Sequence, residues 1–408
     1  MHITILALGS TGDILPYIAL GKGLLGAGYE VRMITFQDFT SRITEPGMDF
    51  HPVQGDPKSL VLQADANILS LARSFGSLAD GYASDLSDPA LLETDLILNQ
   101  LPGGLYGYDL AEKAGAPMML VSVIPLARTT SRPLVNFPAL PIPGYNQLTY
   151  TLGERVVWKM FQKTINHWRN ENFDLPPVTF ESYFHSRGTA RMPIINGFSP
   201  AVVSRPPDWG DEIHITGYWF PEDKAWQPPV DLVAFLEGGP PPVFIGFGSM
   251  PVKNPIQTTR VVLEALQTTG QRAVLGDGWS GIGDQALPET VYKIQYAPYE
   301  WLFPQMAMVI HHGGSGTTAA GLRAGVPSCA VPFLFDQEYW GKRIASLGVG
   351  PDPIPYRKLS ASRLVRTINQ GINDPEICEN AKKLGQRIRT ENGVQTAVKI
   401  VNRYLWAK

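Results

Sequence analysis

The clearest indication of the architecture comes from residues 2–36, which read HITILALGSTGDILPYIALGKGLLGAGYEVRMITF. A short apolar run ends in the glycine-containing loop 9–12, and a helical pattern with Ile14 and Tyr17 on one face follows it. The apolar residues at 29–36 then predict a second strand. A strand, a glycine loop, a helix and a strand in this order begin a parallel, doubly wound sheet.

The chain has 408 residues, which is more than one hydrophobic core usually serves. The proline-containing segment 221–230 separates two series of predicted strands and helices. We therefore predict an α/β protein with two facing Rossmann-like domains, parallel sheets and a ligand cleft between them. The domains are predicted at 1–220 and 231–390, and a C-terminal helix at 391–408 is predicted to pack back on the first domain.

The composition excludes several classes of protein. The net charge of -3 and the sequence pI near 6.2 argue against a broad electrostatic grip on nucleic acid or anionic lipid, although a local basic patch is left open. Two cysteines provide no disulfide framework. The chain carries no apolar run long enough to predict a membrane span and no positively charged leader, so we expect a cytoplasmic protein without a transmembrane segment, and peripheral membrane contact stays open.

Residues 311–318, HHGGSGTT, follow a predicted strand and open a helix predicted at 319–324. Glycines let backbone N–H groups approach a ligand, and a helix N-terminus adds unpaired donors and a partial positive charge. These features suit a phosphate. The alternative interpretation is a glycine-rich turn capped by threonine, and the order of residues is not that of a P-loop.

An Asp-Gln pair, Asp336 and Gln337, follows the apolar residues 331–335. A carboxylate accepts hydrogen bonds and an amide both donates and accepts them, so the pair is suited to the vicinal hydroxyls of a sugar. Asp336 also fits the N-cap of a helix predicted at 338–346, and both roles can hold together.

Taken together, residues 301–304 (WLFP), 311–318, 331–337 (VPFLFDQ) and 348–350 (GVG) closely resemble the donor-site signature of family 1 glycosyltransferases. The loops GFGSM at 246–250 and GSTGDILP at 9–16 match the same group. Within it, the chain looks most like the bacterial and fungal sterol glucosyltransferases, with the glycopeptide-antibiotic glycosyltransferases next. The resemblance implies the GT-B architecture and an inverting, metal-independent reaction without a cofactor.

The resemblance also implies the donor site. His312, Gly314, Gly316 and Thr317 would hold the diphosphate, and Ser249 would lie near the phosphates or the donor sugar. Trp279 would flank the base together with the backbone at Tyr296 and Ala297. Asp336 and Gln337 would hold the sugar, and Gly12 and Ser315 complete the predicted donor set.

Asp13 is the candidate catalytic base. Inverting transfer needs one group that removes the acceptor proton, and the matching loop of the sterol and antibiotic relatives carries an aspartate. The alternative is that Asp13 is only a helix N-cap, a position that would favour the ionised carboxylate and weaken it as a base.

We therefore expect an inverting glycosyltransferase that moves a hexose, by resemblance glucose from UDP-glucose, to a hydroxyl of a small lipophilic acceptor. A sterol, terpenoid, polyketide or phenol would suit the apolar residues at 60–82 and 124–150, which equally fit a core helix and a loop packed on it. A TDP-sugar-dependent natural-product enzyme and a catalytically silent binding or activator protein are the alternatives. A sugar-nucleotide 2-epimerase is disfavoured because no second acid lies near Asp13 in the sequence.

Overall fold

The computed structural model describes residues 1–56, 84–101, 106–135, 137–184, 192–221 and 225–406. The chain forms two compact units, Met1–Pro221 with Asn392–Lys408, and Glu222–Glu391. The predicted segment 60–82 lies outside the described residues.

In the first unit, the described residues form a parallel sheet of seven strands in the order β3-β2-β1-β4-β5-β6-β7. The strands are β1 (His2–Leu6), β2 (Glu30–Phe36), β3 (Asp49–Val53), β4 (Leu96–Gln100), β5 (Met118–Ser122), β6 (Ile194–Asn196) and β7 (Ile213–Ile215). The helices are α1 (Thr11–Gly26), α2 (Thr40–Thr44), α3 (Gly107–Ala114), α4 (Tyr145–Phe173), α5 (Phe180–Phe184) and α13 (Gly393–Trp406). The central strands β1 and β4 are buried almost completely, as expected of a parallel sheet covered on both faces.

The spacing of the apolar residues at 154–171 predicts a helix. The helix observed there, α4, is longer. It begins at Tyr145, directly after Gly144, whose φ of 75° places it in the left-handed region that favours glycine. The predicted loop 124–150 therefore ends at Gly144, and residues 145–150 belong to the first turns of α4.

The C-terminal helix α13 packs within the first unit, although it follows the second unit in the chain. Val394 lies so close to Gly23 of α1 that a Cβ at Gly23 would collide with it. The Tyr29 hydroxyl also donates a hydrogen bond to Asn402 at 2.6 Å. Ala397 and Val401 are fully buried in the same core.

In the second unit, the described residues form a five-stranded parallel sheet in the order β10-β9-β8-β11-β12. The strands are β8 (Val243–Gly246), β9 (Ala273–Gly276), β10 (Val291–Ile294), β11 (Met308–His311) and β12 (Ser328–Ala330). The helices are α6 (Val230–Glu237), α7 (Pro255–Thr269), α8 (Tyr299–Leu302), α9 (Ser315–Ala324), α10 (Gln337–Ser346), α11 (Ala361–Asn373) and α12 (Pro375–Arg389).

Local capping chemistry fixes where several of these helices begin. Asn254 caps α7 by accepting a hydrogen bond from the Gln257 N–H at 3.0 Å, and Pro255 occupies the first helical position. Asp374 and Pro375 start α12 in the same way. The helix α6 begins at Val230, which is the last residue of the predicted linker.

Candidate functional site

The turn between β11 and α9 presents a row of backbone N–H groups. Gly314 is the N-cap of α9, and Thr318 makes the first helical hydrogen bond, to the Gly314 carbonyl at 2.9 Å. The preceding N–H groups of the first turn have no acceptor within the helix, and the partial positive charge of the helix N-terminus lies at the same place. The helix begins at Ser315, four residues before its predicted start, so that Ser315, Gly316 and Thr317 all lie in its first turn. This end of α9 is suited to an anion.

The two histidines before this turn are neutral at pH 7. Burial lowers the pKa of His311 to about 3 and the pKa of His312 to about 4. His311 Nδ1 accepts a hydrogen bond from the Gly313 N–H at 3.0 Å, so the ring carries its proton on Nε2. His311 thereby fixes the turn, and His312 is left as a neutral group beside the first turn of α9.

Two glycines hold the ring of His312. A Cβ at Gly248, in the turn after β8, would lie 2.9 Å from His312 Cε1, and a Cβ at Gly314 would collide with His312 Nε2. Gly248 also has a φ of 56°, in the left-handed region. The ring is therefore placed by close packing against backbone. Ser249, the next residue of the β8 turn, is partly exposed.

Trp279 joins the same edge of the sheet from the loop after β9. Its backbone N–H donates a hydrogen bond to the Gly248 carbonyl at 2.8 Å. Because the strands are parallel, the loops after β8, β9 and β11 all lie at the carboxyl edge, where ligands bind in open α/β sheets. The structure therefore brings Trp279, Ser249 and His312 to one edge of the second unit.

Tyr296 and Ala297 follow β10 at the edge of this sheet. The ring of Tyr296 is exposed and Ala297 is buried. Tyr299 follows this loop at the start of α8: burial raises the pKa of its hydroxyl, and the side chain of Thr317 in α9 opposes that rise.

Asp336 occupies the N-cap position of α10, as one of the two sequence interpretations predicted, but its side chain makes no capping hydrogen bond. Asp336 Oδ2 accepts a hydrogen bond from Trp340 Nε1 at 2.8 Å, one helical turn further on. The carboxylate is partly exposed, and the indole that holds it is fully buried. Trp340 was absent from the sequence-based site, although its i+4 spacing from Asp336 is the signal that could have identified it.

Gln337 is buried and bonded within the protein. Its Oε1 accepts hydrogen bonds from the N–H groups of Phe333, at 2.8 Å, and Leu334, at 3.1 Å, and its Nε2 contacts Met250 Sδ at 3.1 Å. A Cβ at Gly313 would also lie 2.7 Å from the Gln337 carbonyl oxygen. Gln337 therefore fastens the turn before Asp336 to the β8 and β11 loops, and both acceptor positions of its amide oxygen are used.

Phe335, immediately before Asp336, has a strained backbone. Its φ of 53° is rare for a bulky residue, and its ring is 41% exposed. No sequence pattern predicted this conformation. The neighbouring hydrogen bonds of Gln337 and Trp340 hold the chain on both sides of it.

Asp13 lies in the first unit, at the third position of α1. Its Oδ2 accepts hydrogen bonds from the Ser10 N–H at 2.9 Å and from the Ser10 hydroxyl at 2.8 Å. Ser10 is the N-cap, so the interpretation of Asp13 as the cap itself is wrong, and the two residues form a capping box.

The structure also differs from the expectation that an N-cap position lowers the pKa of Asp13 and so weakens it as a base. Burial raises the pKa of Asp13, and the hydrogen bonds from Ser10 only oppose that rise. A carboxylate with a raised pKa is a stronger base at neutral pH. Tyr17, fully buried one turn further on, has a raised pKa for the same reason, with the charge of Asp13 as a second cause.

Gly9 permits the position of Asp13. A Cβ at Gly9 would lie 2.7 Å from Asp13 Cβ and 2.8 Å from its Oδ2. Gly12, predicted for the donor site, is exposed at the second position of α1, and a Cβ there would meet nothing within 4 Å.

Within the described residues, no group of three or more His, Cys, Asp or Glu side chains is arranged to hold a metal ion. None of the helices described is both long and apolar enough to cross a membrane.

Two protein families match parts of this chain, and sterol glucosyltransferases match nearly all of it. Residues 261–402 match the family described as Erythromycin biosynthesis protein CIII-like, C-terminal domain, and residues 3–83 match the Glycosyltransferase family 28 N-terminal domain. A Sterol 3-beta-glucosyltransferase of Arabidopsis thaliana is 35% identical over 432 residues, which cover 99% of this chain and 68% of that relative. A Sterol 3-beta-glucosyltransferase of Aspergillus terreus is 36% identical over 99% of this chain, which spans only 30% of that relative's length.

Solved structures share the fold at low sequence identity. The glycotransferase of kitacinnamycin has a TM-score of 0.71 at 17% identity, with 98% of each chain covered. The Streptomyces sp. SF2575 glycosyltransferase SsfS6, complexed with thymidine diphosphate, has a TM-score of 0.66 at 18% identity, with 99% of each chain covered. The architecture is therefore GT-B, as expected from the sequence.

Proposed function

Because the chain belongs to the glycosyltransferase family that includes the sterol 3-beta-glucosyltransferases, we propose that it transfers a hexose from a nucleotide sugar to the hydroxyl of a sterol-type acceptor. One observation of the structure carries the proposal: the unpaired N–H groups at the start of α9, beside the ring of His312. A diphosphate is the anion that a nucleotide sugar offers to such a site.

The donor is held by the second unit in this proposal. The first turn of α9 and His312 bind the diphosphate, Trp279 and the Tyr296–Ala297 backbone flank the base, and Asp336 accepts hydrogen bonds from the sugar. UDP-glucose is the proposed donor. A negative diphosphate raises the pKa of a neighbouring imidazole, so donor binding would favour protonation of His312. The helix terminus and His312 then offset the charge of the leaving diphosphate without a metal ion.

Asp13 is the proposed base. Direct displacement at the anomeric carbon inverts its configuration and passes through an oxocarbenium-like state. As the acceptor oxygen attacks, its proton passes to the Asp13 carboxylate, and the bond from the sugar to the diphosphate breaks. The raised pKa of Asp13 supports this role, since a base works best when its pKa approaches the pH of the reaction.

The substitution Asp13→Asn tests the proposal. Asparagine can still accept the Ser10 hydrogen bond but cannot take a proton. We expect kcat with UDP-glucose and a sterol to fall by roughly a hundredfold to ten-thousandfold, while donor affinity measured by titration calorimetry is unchanged.

The same variant has a stability control. A carboxyl whose pKa is raised by folding destabilises the fold when ionised, so stability is lost as pH rises from the ordinary value of 3.8 through the raised pKa. Asp13→Asn should therefore be at least as resistant to thermal unfolding at pH 7 as the wild type. Activity within a few-fold of wild type in a folded variant would exclude Asp13 as the base.

A TDP-sugar donor is the second candidate, favoured by the thymidine diphosphate complex of SsfS6. Titration with UDP, TDP, UDP-glucose and TDP-glucose separates the two donors directly. Slow release of the nucleotide diphosphate from the preferred sugar, without acceptor, distinguishes a transferase from a silent binding protein, which would release none.

A further inference from the structure

The outward face of α4 carries an unusual run of apolar side chains. Leu148, Leu152 and Val156 recur every four residues and are 52%, 44% and 46% exposed. The opposite side of the helix holds the residues buried in the core, which include Phe161, Ile165 and Trp168. A surface helix normally presents polar residues on the side away from the core, so this stripe needs a cause other than core packing.

The same face continues as a row of positive charges. Arg155, Lys159 and Lys163 lie within the same angular sector of the helix as the apolar stripe, and all three are exposed. Lys159 and Lys163 have no acidic partner among the residues that the structure describes. The acid nearest to Lys159 in the sequence, Glu154, lies on another side of the helix and is paired with Arg128 at 2.7 Å. This positive face stands on a chain whose net charge is -3.

The loop that precedes α4 adds further exposed apolar side chains. Phe137, Leu140 and Ile142 are exposed, and the last of them is 57% exposed. The loop is held against the helix, because the Leu134 N–H donates a hydrogen bond to Thr149 Oγ1 at 2.9 Å and Leu134 packs where a Cβ at Gly153 would lie. The loop and the start of α4 thus form one anchored apolar surface.

We propose that this surface, Phe137–Ile142 with the outward face of α4 from Leu148 to Lys163, docks on a lipid bilayer that contains anionic lipids. An interfacial helix has this composition: apolar side chains enter the headgroup region and lysines pair with anionic headgroups. The proposal rests on the proposed function in one respect, since a sterol acceptor resides in a membrane and docking brings the enzyme to it. The charge of the surface favours a bilayer over a second copy of this chain, because two copies would bring like charges together.

The test measures flotation of the full chain with vesicles of phosphatidylcholine, with and without phosphatidylglycerol. One variant carries Leu152→Gln with Val156→Gln, and another carries Lys159→Gln with Lys163→Gln. Matched controls in the second unit are Ile256→Gln, which removes an exposed apolar side chain, and Lys358→Gln with Lys382→Gln, which removes two exposed charges.

We expect the wild type and both controls to float with the anionic vesicles. The lysine variant should bind them more weakly by roughly fivefold per lysine, and added salt should remove its difference from wild type. The Leu152 and Val156 variant should lose binding at every salt concentration, because insertion of apolar side chains is not screened. The proposal would be overturned if all the variants floated equally well with the vesicles. It would also be overturned if the wild type bound no vesicles but formed a dimer that both variants abolish.

An activity assay separates this inference from the proposed function. With the sterol in vesicles, transfer should fall in proportion to vesicle binding; with the sterol supplied in cyclodextrin, the variants should match wild type. A raised KM for the cyclodextrin-supplied sterol with unchanged vesicle binding would instead assign the surface to the acceptor site and overturn docking. If the wild type binds vesicles through this surface but transfers no sugar to any sterol, the proposed function alone is refuted.

Discussion

The position of each acidic side chain in the candidate site depends on a neighbouring residue that has no catalytic role in the proposal. Gly9 leaves room for Asp13, and the indole of Trp340 holds Asp336. Ser10 donates hydrogen bonds to Asp13 Oδ2 from its backbone N–H and its hydroxyl. The reactivity of a carboxylate depends on its placement as well as its pKa, so substitutions of these neighbours should affect catalysis selectively.

Gly9→Ala should misplace the base. The new methyl group would lie 2.7 Å from Asp13 Cβ, at a φ of 155° that also disfavours alanine, so the carboxylate must shift. We expect kcat to fall roughly a hundredfold, with little change in donor affinity, because a shift of about 1 Å at a reacting group has that cost. Gly26→Ala, in the same part of the chain, is the control, since its Cβ would meet nothing within 4 Å. A kcat close to that of this control would show that Asp13 tolerates the displacement.

Trp340→Phe should separate recognition of the sugar from recognition of the nucleotide. The change removes the N–H that Asp336 Oδ2 accepts and keeps most of the buried ring. A hydrogen bond to a charged group contributes about 1.5–3 kcal/mol, so the KM for UDP-glucose should rise roughly tenfold or more. Affinity for UDP alone should stay at the wild-type value, measured by titration calorimetry. Equal weakening of both ligands would mean that Trp340 supports the unit as a whole.

Among the elements, the β11 turn and α9 act together. His311 fixes the turn, two glycines place His312, and the helix supplies the N–H groups. Both histidines are buried and neutral, so this part of the second unit should be sensitive to acid.

His311→Asn tests that sensitivity. The folded-state pKa values of about 3 and 4 lie below the ordinary value of 6.5, so the unfolded chain binds more protons and stability falls as pH drops below 6.5. One such histidine costs ~1.4 kcal/mol per pH unit well inside that window. Asparagine can accept the Gly313 N–H without titrating, so the variant should lose less stability between pH 6.5 and pH 4. Parallel unfolding curves for the two proteins in denaturant would contradict this account.

Elements with a strong pattern could be predicted from the sequence, and short or edge elements could not. The strands around residues 2–8, 96–98 and 243–247 read as continuous apolar runs because both faces of a parallel sheet are covered. β6 and β7 have only three residues each, too few to establish a period. β3, Asp-Phe-His-Pro-Val, lies at the sheet edge, where polar residues and a proline are tolerated, so nothing in its pattern indicates a strand.

The same distinction holds for the candidate site. The glycine turn and the Asp-Gln pair were visible because their residue types are unusual after a strand. The engagement of Gln337 with Phe333 and Leu334, and the positive φ of Phe335, depend on how the chain turns between β12 and α10. The types of the side chains do not show how the backbone turns there. The pKa of Asp13 likewise could not be predicted, because it depends on burial that only the folded unit creates.

At the scale of the whole molecule, the first unit is built from two separate parts of the chain. Residues 1–221 supply the sheet, and α13 returns after residue 391 to cover α1. The second unit is thus an insertion within the first. The close contact of Gly23 with Val394 is one of the contacts that join the two parts of the first unit.

Gly23→Leu should separate α1 from α13. A Cβ at Gly23 already collides with Val394, and overpacking of this kind costs about 1–3 kcal/mol. We expect the unfolding free energy of the first unit to fall by that amount in a denaturant titration. Gly26→Leu, on the same helix in open space, should have a much smaller effect. Comparable losses in the two variants would indicate a helix-wide effect and not a contact with α13.

The insertion also sets an order of events during protein synthesis. A ribosome completes the second unit before it makes α13, so that unit can fold while the first still lacks its closing helix. Until residues 393–406 emerge, the surface of α1 around Gly23 stays open to other contacts. A released chain that stops at residue 391 should therefore show a protease-resistant second unit and a protease-sensitive first one, and restoring residues 392–408 should make the first unit resistant.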